Sequence, residues 1–451
     1  MNPSSPHSAY ISEDLQAELD WFAEVLDTRF KLYFQLETEV EDLKAISPPD
    51  LSHSASPYAQ LIRRHQWGFE ERLTLALCMA PHLHPRLLDV FFTKNKTFDR
   101  NFTEFGGYTD PQYSGFLPTG ETLLFLLAGA SLPQRLRTSE LLQPQHPLLR
   151  ERWLLLNPVP AHLPATCGVL QLSPEAVSTL LHGQPYRPAF GMHFPAHHIT
   201  TQLEWKDLVL APATQKQIEE IQHWITHGHT LLHDWGMAPK LRPGYRSLFY
   251  GPPGTGKTLT ATLLGKYTGR DVYKVDLSQV ISKYIGETEK NLAQIFDQAE
   301  HKNWILFFDE ADALFGKRSE TRDAHDRYAN QEVSYLLQRI EIFDGIVILA
   351  SNMRNNLDDA FTRRFESMIY FAMPNTALRL RLWQQGFSPK ARLAPDLQLH
   401  EIASRYELSG GGIMNVVRYA SLQALANGGV VHKHFVLEGL RKEYAKEGRT
   451  V

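Results

Sequence analysis

Eight consecutive residues in the second half of the chain, GPPGTGKT at positions 251–258, have the composition of a phosphate-binding loop. The short apolar run 247–250 precedes this loop, and residues 259–264 have the composition of a helix, so a strand–loop–helix unit is predicted. Glycines let backbone N–H groups approach phosphate oxygens, and the helix N-terminus adds partial positive charge. We therefore expect this loop to bind the β- and γ-phosphates of a nucleotide. The residues assigned to that role are Gly251, Pro252, Pro253, Gly254, Thr255, Gly256, Lys257, Thr258 and Leu259.

An acidic pair follows about fifty residues later, at the end of the unbroken apolar run 304–308. Such a run is typical of a buried parallel strand. We expect Lys257 to pair with the phosphates and the Thr258 hydroxyl to ligate Mg²⁺. Asp309 would hold the same Mg²⁺ through water, and Glu310 would orient the attacking water, because phosphoryl transfer depends mainly on positioning and charge stabilisation.

Each motif also has an interpretation without any ligand. The glycine-rich loop could merely cap a helix, and the acidic pair could be a solvated strand end. The two motifs occur in the order and at the spacing that triphosphate cleavage requires, and agreement between independent signals favours the chemical interpretation. The sequence therefore predicts an ATPase with ATP and Mg²⁺ as cofactors.

Composition places the chain among globular proteins of two or three domains, with 451 residues, 43% hydrophobic and 21% charged. The first residues are neither basic nor apolar, and no window approaches about eighteen consecutive apolar residues. We expect no signal peptide, no membrane span and a cytoplasmic location. The two cysteines, Cys78 and Cys167, are too few for a disulfide framework, and both are expected to be buried.

Charge is distributed unevenly around the net value of −4. Residues 1–200 carry 21 acidic and 15 basic side chains. An acidic first domain is a poor electrostatic partner for a phosphate backbone, so binding to nucleic acid is not expected.

The first 182 residues are predicted to form a mainly helical domain that recruits a partner or substrate. Apolar residues recur at helical spacing from Tyr10 to about Leu43, with Ser12 as the expected N-cap. The pattern shortens toward strands near Trp153, and a helix capped by Ser173 follows. Helices followed by a strand pair and a helix are compatible with a winged-helix arrangement.

The remaining chain is predicted to divide into three parts. Residues 183–202 are rich in Pro, Gly and His and are interpreted as a linker. Residues 203–371 would form an α/β core with a parallel sheet, a P-loop NTPase fold. Residues 372–451 would form a helical lid, since 377–383, 397–406 and 413–426 show helical spacing.

Residues 203–426 resemble the AAA family of ring-forming ATPases, within the AAA+ superfamily. Residues 345–352 look like the strand that carries the family's sensor, so the resemblance implies that Asn352 helps to place the hydrolytic water. Residues 357–365 resemble the segment from which two arginines, here Arg363 and Arg364, project into the neighbouring subunit's site. The resemblance thus implies a homo-oligomer, a hexamer in this family.

Residues 282–291 resemble the central-pore loop of protein-unfolding members, with Lys283, Tyr284 and Ile285 at its centre. An aromatic and an aliphatic side chain can pack on almost any polypeptide, which suits the threading of a protein substrate. Tyr284 could instead pack beneath its own loop. The leading hypothesis is a protein remodeller; the alternatives are a nucleic-acid motor or loader and a nucleotide-gated assembly factor that threads nothing.

Two departures qualify this resemblance. The lid segment 408–415 has glycines where some ring ATPases place a sensor arginine, and the loop at 344–345 is shorter than in many members. Together with residues 315–330, they resemble a bacterial subgroup that includes ATPases encoded with extracellular contractile injection systems.

Overall fold

The structure is a computed structural model, and it describes residues 6–191, 194–280, 287–300, 302–314, 324–352, 362–446 and 448–449. The chain divides into two compact units, Met1–Arg187 and Pro188–Val451. Each unit has a hydrophobic core of its own. Among the described residues, no helix combines the length and the apolar character needed to cross a membrane.

The first unit is mainly helical, as the spacing of its apolar residues predicts. Its helices are α1 (Pro6–Tyr33), α2 (Pro57–His65), α3 (Phe69–Leu83), α4 (Gly120–Ala128), α5 (Leu132–Thr138), α6 (Pro147–Arg150) and α7 (Pro174–Ala176). Its short strands are β1 (Lys94–Asn95), β2 (Arg100–Asn101), β3 (Tyr108–Asp110), β4 (Tyr113–Leu117), β5 (Leu154–Leu156) and β6 (Leu170–Leu172). They form three antiparallel pairs, β1–β2, β3–β4 and β5–β6.

Helix α1 begins before the residue that the sequence suggested as its cap. Ser12 lies inside the helix, so the predicted N-cap is wrong. The side chain of Ile11 is buried in the core of the first unit, and this packing holds the turn that precedes Ser12 in the helix. By contrast, Ser173 caps α7 as expected, since its Oγ accepts a hydrogen bond from the N–H of Ala176 at 3.0 Å.

A buried ion pair lies inside this unit, where the helical pattern alone indicates only apolar packing. The Arg72 guanidinium of α3 donates to the fully buried Glu18 carboxylate of α1. Burial raises the pKa of Glu18 to about 7, although Arg72 acts in the opposite direction. Of the two cysteines, Cys78 is buried as expected, but Cys167 is exposed, because it ends a short surface 3-10 turn.

The second unit contains a six-stranded sheet in the order β12-β8-β11-β10-β9-β7. All its neighbours are parallel except β7, which runs antiparallel to β9 at the edge. The predicted α/β fold with a parallel sheet is therefore confirmed. The strands are β7 (His197–Ile199), β8 (Tyr245–Tyr250), β9 (Asp271–Asp276), β10 (Trp304–Asp309), β11 (Ile346–Ser351) and β12 (Ser367–Tyr370).

Helices cover both faces of this sheet, and β10 shows why its sequence is apolar throughout. The helices are α8 (Pro212–His229), α9 (Lys257–Thr268), α10 (Leu277–Val280), α11 (Glu287–Ala299) and α12 (Ala324–Ile342). Ile305 and Phe307 pack on the side of α8 and α9, whereas Leu306 and Phe308 pack on the side of α11 and α12. A strand buried on both faces loses the alternation of apolar and polar residues.

Part of the segment predicted as a linker, 183–202, belongs to this sheet. Strand β7 pairs with β9, and the side chains of Phe194 and Ala196 are buried in the core of the second unit. A three-residue edge strand is too short to show a period in the sequence, and this is why the segment looks irregular.

The lid is a small helical cluster with its own core around Trp383, Ile402 and Val416. Its helices are α13 (Thr376–Gly386), α14 (Leu399–Arg405), α15 (Gly410–Ala426) and α16 (Lys433–Lys446). The first three match the segments predicted from helical spacing. A two-residue parallel pair, β13 (Arg392–Leu393) and β14 (Val430–Val431), joins the connections between them.

Candidate functional site

The loop between β8 and α9 follows a path that requires glycine. The backbone φ angles are +141° at Gly251, +74° at Gly254 and +102° at Gly256. A Cβ atom at Gly251 would lie 2.2 Å from the carbonyl oxygen of Phe371, at the end of β12. At Gly251 the loop therefore presents its backbone where a side chain would collide with the end of β12.

Lys257 begins α9 and ties this loop to the tip of β11. Its Nζ donates to the carbonyl oxygens of Gly251 at 2.6 Å and Pro252 at 3.0 Å, and to Asn352 Oδ1 at 3.1 Å. Burial lowers the pKa of Lys257, and the nearby carboxylates of Asp309 and Asp312 act in the opposite direction. Lys257 and Asn352, far apart in sequence, thus meet at one point of the sheet edge.

Asp309 and Glu310 lie at the carboxyl end of β10, beside this lysine. Glu310 has a left-handed backbone with φ of +54°, which is uncommon for a residue with a side chain. Its N–H donates to Asp309 Oδ1 at 3.0 Å. Asp309 Oδ2 forms an ion pair with Lys274 Nζ at 2.6 Å, a partner from β9 that sequence reasoning missed.

Asp312 is a second residue that sequence reasoning missed. It lies in a 3-10 turn, Ala311–Leu314, directly after the acidic pair. Its carboxylate accepts the hydroxyl of Ser351 and, at 2.9 Å, the N–H of Asn352. Asp312 therefore holds the tip of β11 in place, and the only signal in the sequence is an acidic residue two positions after Glu310.

The loop, the acidic pair and Asn352 line one cavity of about 580 Å³. Its apolar wall comes from the segment before α8 and from the lid, and the contributing side chains are Leu208, Val209, Leu210, Leu378, Leu382 and Met414. A cavity of this size, mostly apolar with a polar end, is typical of small-molecule sites. The glycine-rich loop between β8 and α9 contributes to the polar end.

The lid meets the loop through the glycines at the start of α15. The N–H of Gly411 donates to the carbonyl oxygen of Gly254 at 2.9 Å. A Cβ atom at Gly411 would lie 3.1 Å from Gly254 Cα, closer than ordinary contact distance. The glycines of the 408–415 segment thus allow the backbone of the lid to reach the backbone of the glycine-rich loop.

Arg363 and Arg364 are described by the structure but do not line this cavity. Arg364 Nε donates to Glu341 Oε1 at 2.8 Å. Two residues on, Glu366 pairs with Arg246 at 2.7 Å, and the buried Arg246 also donates to the carbonyl oxygen of Glu341 at 3.1 Å. The segment that carries the arginines is therefore anchored to β8.

The predicted pore-loop residues Lys283, Tyr284 and Ile285 lie outside the described residues. The same holds for 315–323, part of the charged segment 315–330, and for 353–361, which precede the two arginines.

The donor set of the cavity fits a nucleoside triphosphate with Mg²⁺. Thr258 supplies a hydroxyl and Asp309 a carboxylate, both on the cavity wall, and Mg²⁺ prefers such oxygen ligands. When bound, the metal ion would neutralise charge on the phosphates. The glycine-rich loop supplies backbone N–H groups and the start of α9 for the phosphates themselves.

A parallel sheet, a glycine-rich loop between a strand and a helix, and carboxylates at the end of a neighbouring strand together define a P-loop nucleoside triphosphatase domain. Comparison with known proteins narrows this class. The family model described as "ATPase family associated with various cellular activities (AAA)" matches residues 247–373.

Curated relatives match stretches of 189 to 251 residues of the chain. A cell division cycle protein 48 homolog of Archaeoglobus fulgidus is 29% identical over 251 residues, covering 54% of this chain and 33% of the relative. A vesicle-fusing ATPase of Arabidopsis thaliana is 34% identical over 198 residues, covering 40% of this chain and 26% of the relative. The vacuolar protein sorting-associated protein 4A of Rattus norvegicus is 33% identical over 189 residues, covering 41% of this chain and 43% of the relative.

Over residues 247–373 the chain therefore has an AAA ATPase domain, which it shares with relatives that include a named ATPase. It spans less than half the length of each of these three relatives.

Proposed function

We propose that the chain is an ATP-driven protein remodeller that works as a ring, with a hexamer as the expected assembly. The observation that carries this proposal is the cavity where Lys257, Asp309, Glu310 and Asn352 meet, inside an AAA ATPase domain. In this proposal one chain supplies Lys257 and the other residues that bind the triphosphate, and a neighbouring copy adds a further cation at the γ-phosphate. The absence of Arg363 and Arg364 from the cavity wall supports a role for the segment that carries them in a neighbouring copy's site.

The roles within the cavity follow from the chemistry of the side chains. Lys257 and the backbone of 251–259 would bind the phosphates, and Thr258 with Asp309 would hold Mg²⁺. Glu310 would orient the attacking water together with Asn352, whose position Asp312 maintains. Positioned charges and donors of this kind stabilise the transition state of phosphoryl transfer without covalent chemistry.

Arg363 is the better candidate for the arginine that acts on the neighbouring copy. Arg364 is engaged with Glu341 of its own chain, and it would have to break that contact to reach a phosphate. A guanidinium supplied in trans stabilises charge that no group of the home subunit reaches. In this arrangement Arg364 anchors the segment and Arg363 projects from it.

We further propose that Tyr284, flanked by Lys283 and Ile285, grips an extended polypeptide in a central pore. The first unit would recruit the protein target. Among the relatives, one is named for vesicle fusion and another for the sorting of vacuolar proteins, so the target class proposed here is protein. The excess of acidic side chains in residues 1–200 supports the same choice.

The proposal is tested by Glu310→Gln, which should still bind ATP but hydrolyse it at least about 100-fold more slowly. Incubated with ATP in a cell extract, this variant should retain a protein target that the wild type releases. Glu300→Gln, an exposed acidic residue outside the cavity, is the matched control and should behave like the wild type. Wild-type hydrolysis rates in Glu310→Gln would overturn the proposal.

The alternatives make different predictions in the same system. A nucleic-acid motor or loader, with the first unit as a winged helix, would bind nucleic acid with a steep dependence on salt concentration. An assembly factor without threading would keep its biological activity in Tyr284→Ala. Membership in the subgroup encoded with contractile injection systems stays a narrower proposal that rests on the 408–415 glycines, the short loop at 344–345 and residues 315–330.

A further inference from the structure

Lys274 reaches the magnesium end of the cavity from a strand that carries none of the expected motifs. Strands β9 and β10 pair in parallel, with Lys274 opposite Phe307 and Asp276 opposite Asp309. Because side chains alternate along a strand, Lys274 and Asp309 lie on the same face of the sheet. The lysine side chain extends toward the carboxyl edge, and its Nζ lies 2.6 Å from Asp309 Oδ2.

This contact gives the Asp309 carboxylate a second partner from the protein. Oδ1 accepts the N–H of Glu310 at 3.0 Å, and Oδ2 faces the ammonium group of Lys274. The carboxylate is thus held from two sides by the protein itself. Fixing one carboxylate between two donors sets its orientation, as outer-shell partners do for metal ligands in general.

The ion pair between Lys274 and Asp309 is partly shielded from solvent, which strengthens its electrostatic interaction. The side chains of Lys274 and Asp309 are 33% and 21% exposed, so neither is freely solvated. Pairs near a protein surface still interact more strongly than ions in bulk water. An ammonium group beside a carboxylate that serves Mg²⁺ also repels the incoming cation, because both are positively charged, and the two compete for the same carboxylate.

We propose that Lys274 is a positioning residue for Asp309 that also sets the divalent-ion requirement of the site. The ammonium group orients the carboxylate and compensates its charge before Mg²⁺ and nucleotide bind, and it weakens divalent binding as a consequence. This inference rests on the proposed function, since it assigns Asp309 to the magnesium ion.

The test measures Mn²⁺ binding to the full chain in the presence of ADP, by the loss of the free Mn²⁺ signal in electron paramagnetic resonance. Lys274→Met should bind Mn²⁺ about three- to tenfold more tightly than the wild type, because the competing charge is gone. Its kcat should nevertheless fall about tenfold, because Asp309 is no longer oriented. Lys274→Arg keeps the charge and should bind Mn²⁺ within about twofold of the wild type.

Lys266→Met is the matched control, since Lys266 pairs with Glu204 rather than with a residue of the acidic pair. It should leave both Mn²⁺ binding and kcat unchanged. A lysine with a merely structural role would give weaker or unchanged Mn²⁺ binding in Lys274→Met, and either result overturns the inference. Circular dichroism checks the fold, and Lys274→Gln replaces the methionine variant if that variant does not fold.

The same experiment separates this inference from the proposed function. ADP binding to the wild type in the presence of EDTA tests the nucleotide site without any metal ion. If the wild type does not bind ADP, the proposed function is refuted. Normal ADP binding combined with identical Mn²⁺ affinities in wild type and Lys274→Met would refute only the role of Lys274.

Discussion

Gly251→Ala should disable the nucleotide site through the backbone alone. The residue has φ of +141°, a conformation that side chains rarely adopt, and a Cβ atom would lie 2.2 Å from the carbonyl oxygen of Phe371. Strain of this kind costs about 1–3 kcal/mol. Because the clash is with backbone, either Gly251 or the end of β12 must also shift, so we expect a total cost of at least about 3 kcal/mol.

The shift also has a direct effect on the site. The carbonyl oxygen of Gly251 accepts the closest hydrogen bond of Lys257 Nζ, at 2.6 Å. Moving this oxygen displaces the lysine from Asn352, with which it shares a bond of 3.1 Å. We therefore expect the variant to lose stability and nucleotide binding together.

Gly269→Ala is the matched control for this variant. Gly269 also has a positive φ, +67°, but a Cβ atom there would meet nothing within 4 Å. Only the left-handed backbone penalty of about 1–2 kcal/mol applies. The assay is thermal unfolding with and without ADP, since a ligand that binds the folded state raises the transition temperature.

Wild type and Gly269→Ala should gain the same increment in transition temperature from ADP, whereas Gly251→Ala should gain none. The reasoning fails if Gly251→Ala unfolds no earlier than Gly269→Ala and responds to ADP like the wild type.

Three further predictions concern charged side chains. Arg363→Ala should lower kcat by about 10³-fold without weakening ATP binding to its own chain, whereas Arg364→Ala should lower kcat less and loosen the segment that carries both arginines. Steady-state kinetics and ATP titration distinguish the two variants. Equal losses of kcat would contradict the assignment of Arg363 to the neighbouring copy's site. Arg246→Met should lower the free energy of unfolding by about 2 kcal/mol, since it removes the partner of Glu366; unchanged denaturation by urea would contradict this. Glu18 has a raised pKa of about 7 in the folded protein, so its ionisation opposes folding. Its contribution to the free energy of unfolding is therefore fully present below the pKa of the unfolded chain and is lost as pH rises through about 7. Melting temperatures of Glu18→Gln and the wild type should be measured from pH 5 to 8. As pH rises, the melting temperature of the variant should increase relative to that of the wild type. A difference that stays constant with pH would refute the raised pKa of Glu18.

The strands and helices that build the site were largely predictable. Long apolar runs such as 304–308 identify strands buried on both faces, and helical spacing identifies three of the four lid helices. The short edge strand β7 and the start of α1 were not predictable, because a three-residue strand shows no period and a capping signal inside a helix is overridden by packing.

The candidate site shows the same division. Contiguous motifs, whose residue types are dictated by phosphate chemistry, contain Lys257, Thr258, Asp309 and Glu310. These residues can therefore be recognised from the sequence alone. Lys274 belongs to no motif. Its importance rests on the register of β9 against β10, which places residues 35 positions apart within hydrogen-bonding distance.

By itself, the sequence determined the class of chemistry, because cradling a phosphate needs glycines and a lysine at a set spacing and the carboxylates that follow complete the set. Only the tertiary structure decided which charges meet. Arg246 and Glu366, 120 residues apart, pair because β8 and β12 are adjacent in the sheet, and Arg364 is held by Glu341 of α12. Such pairings depend on strand order and register, which arise from long-range packing that no local pattern encodes.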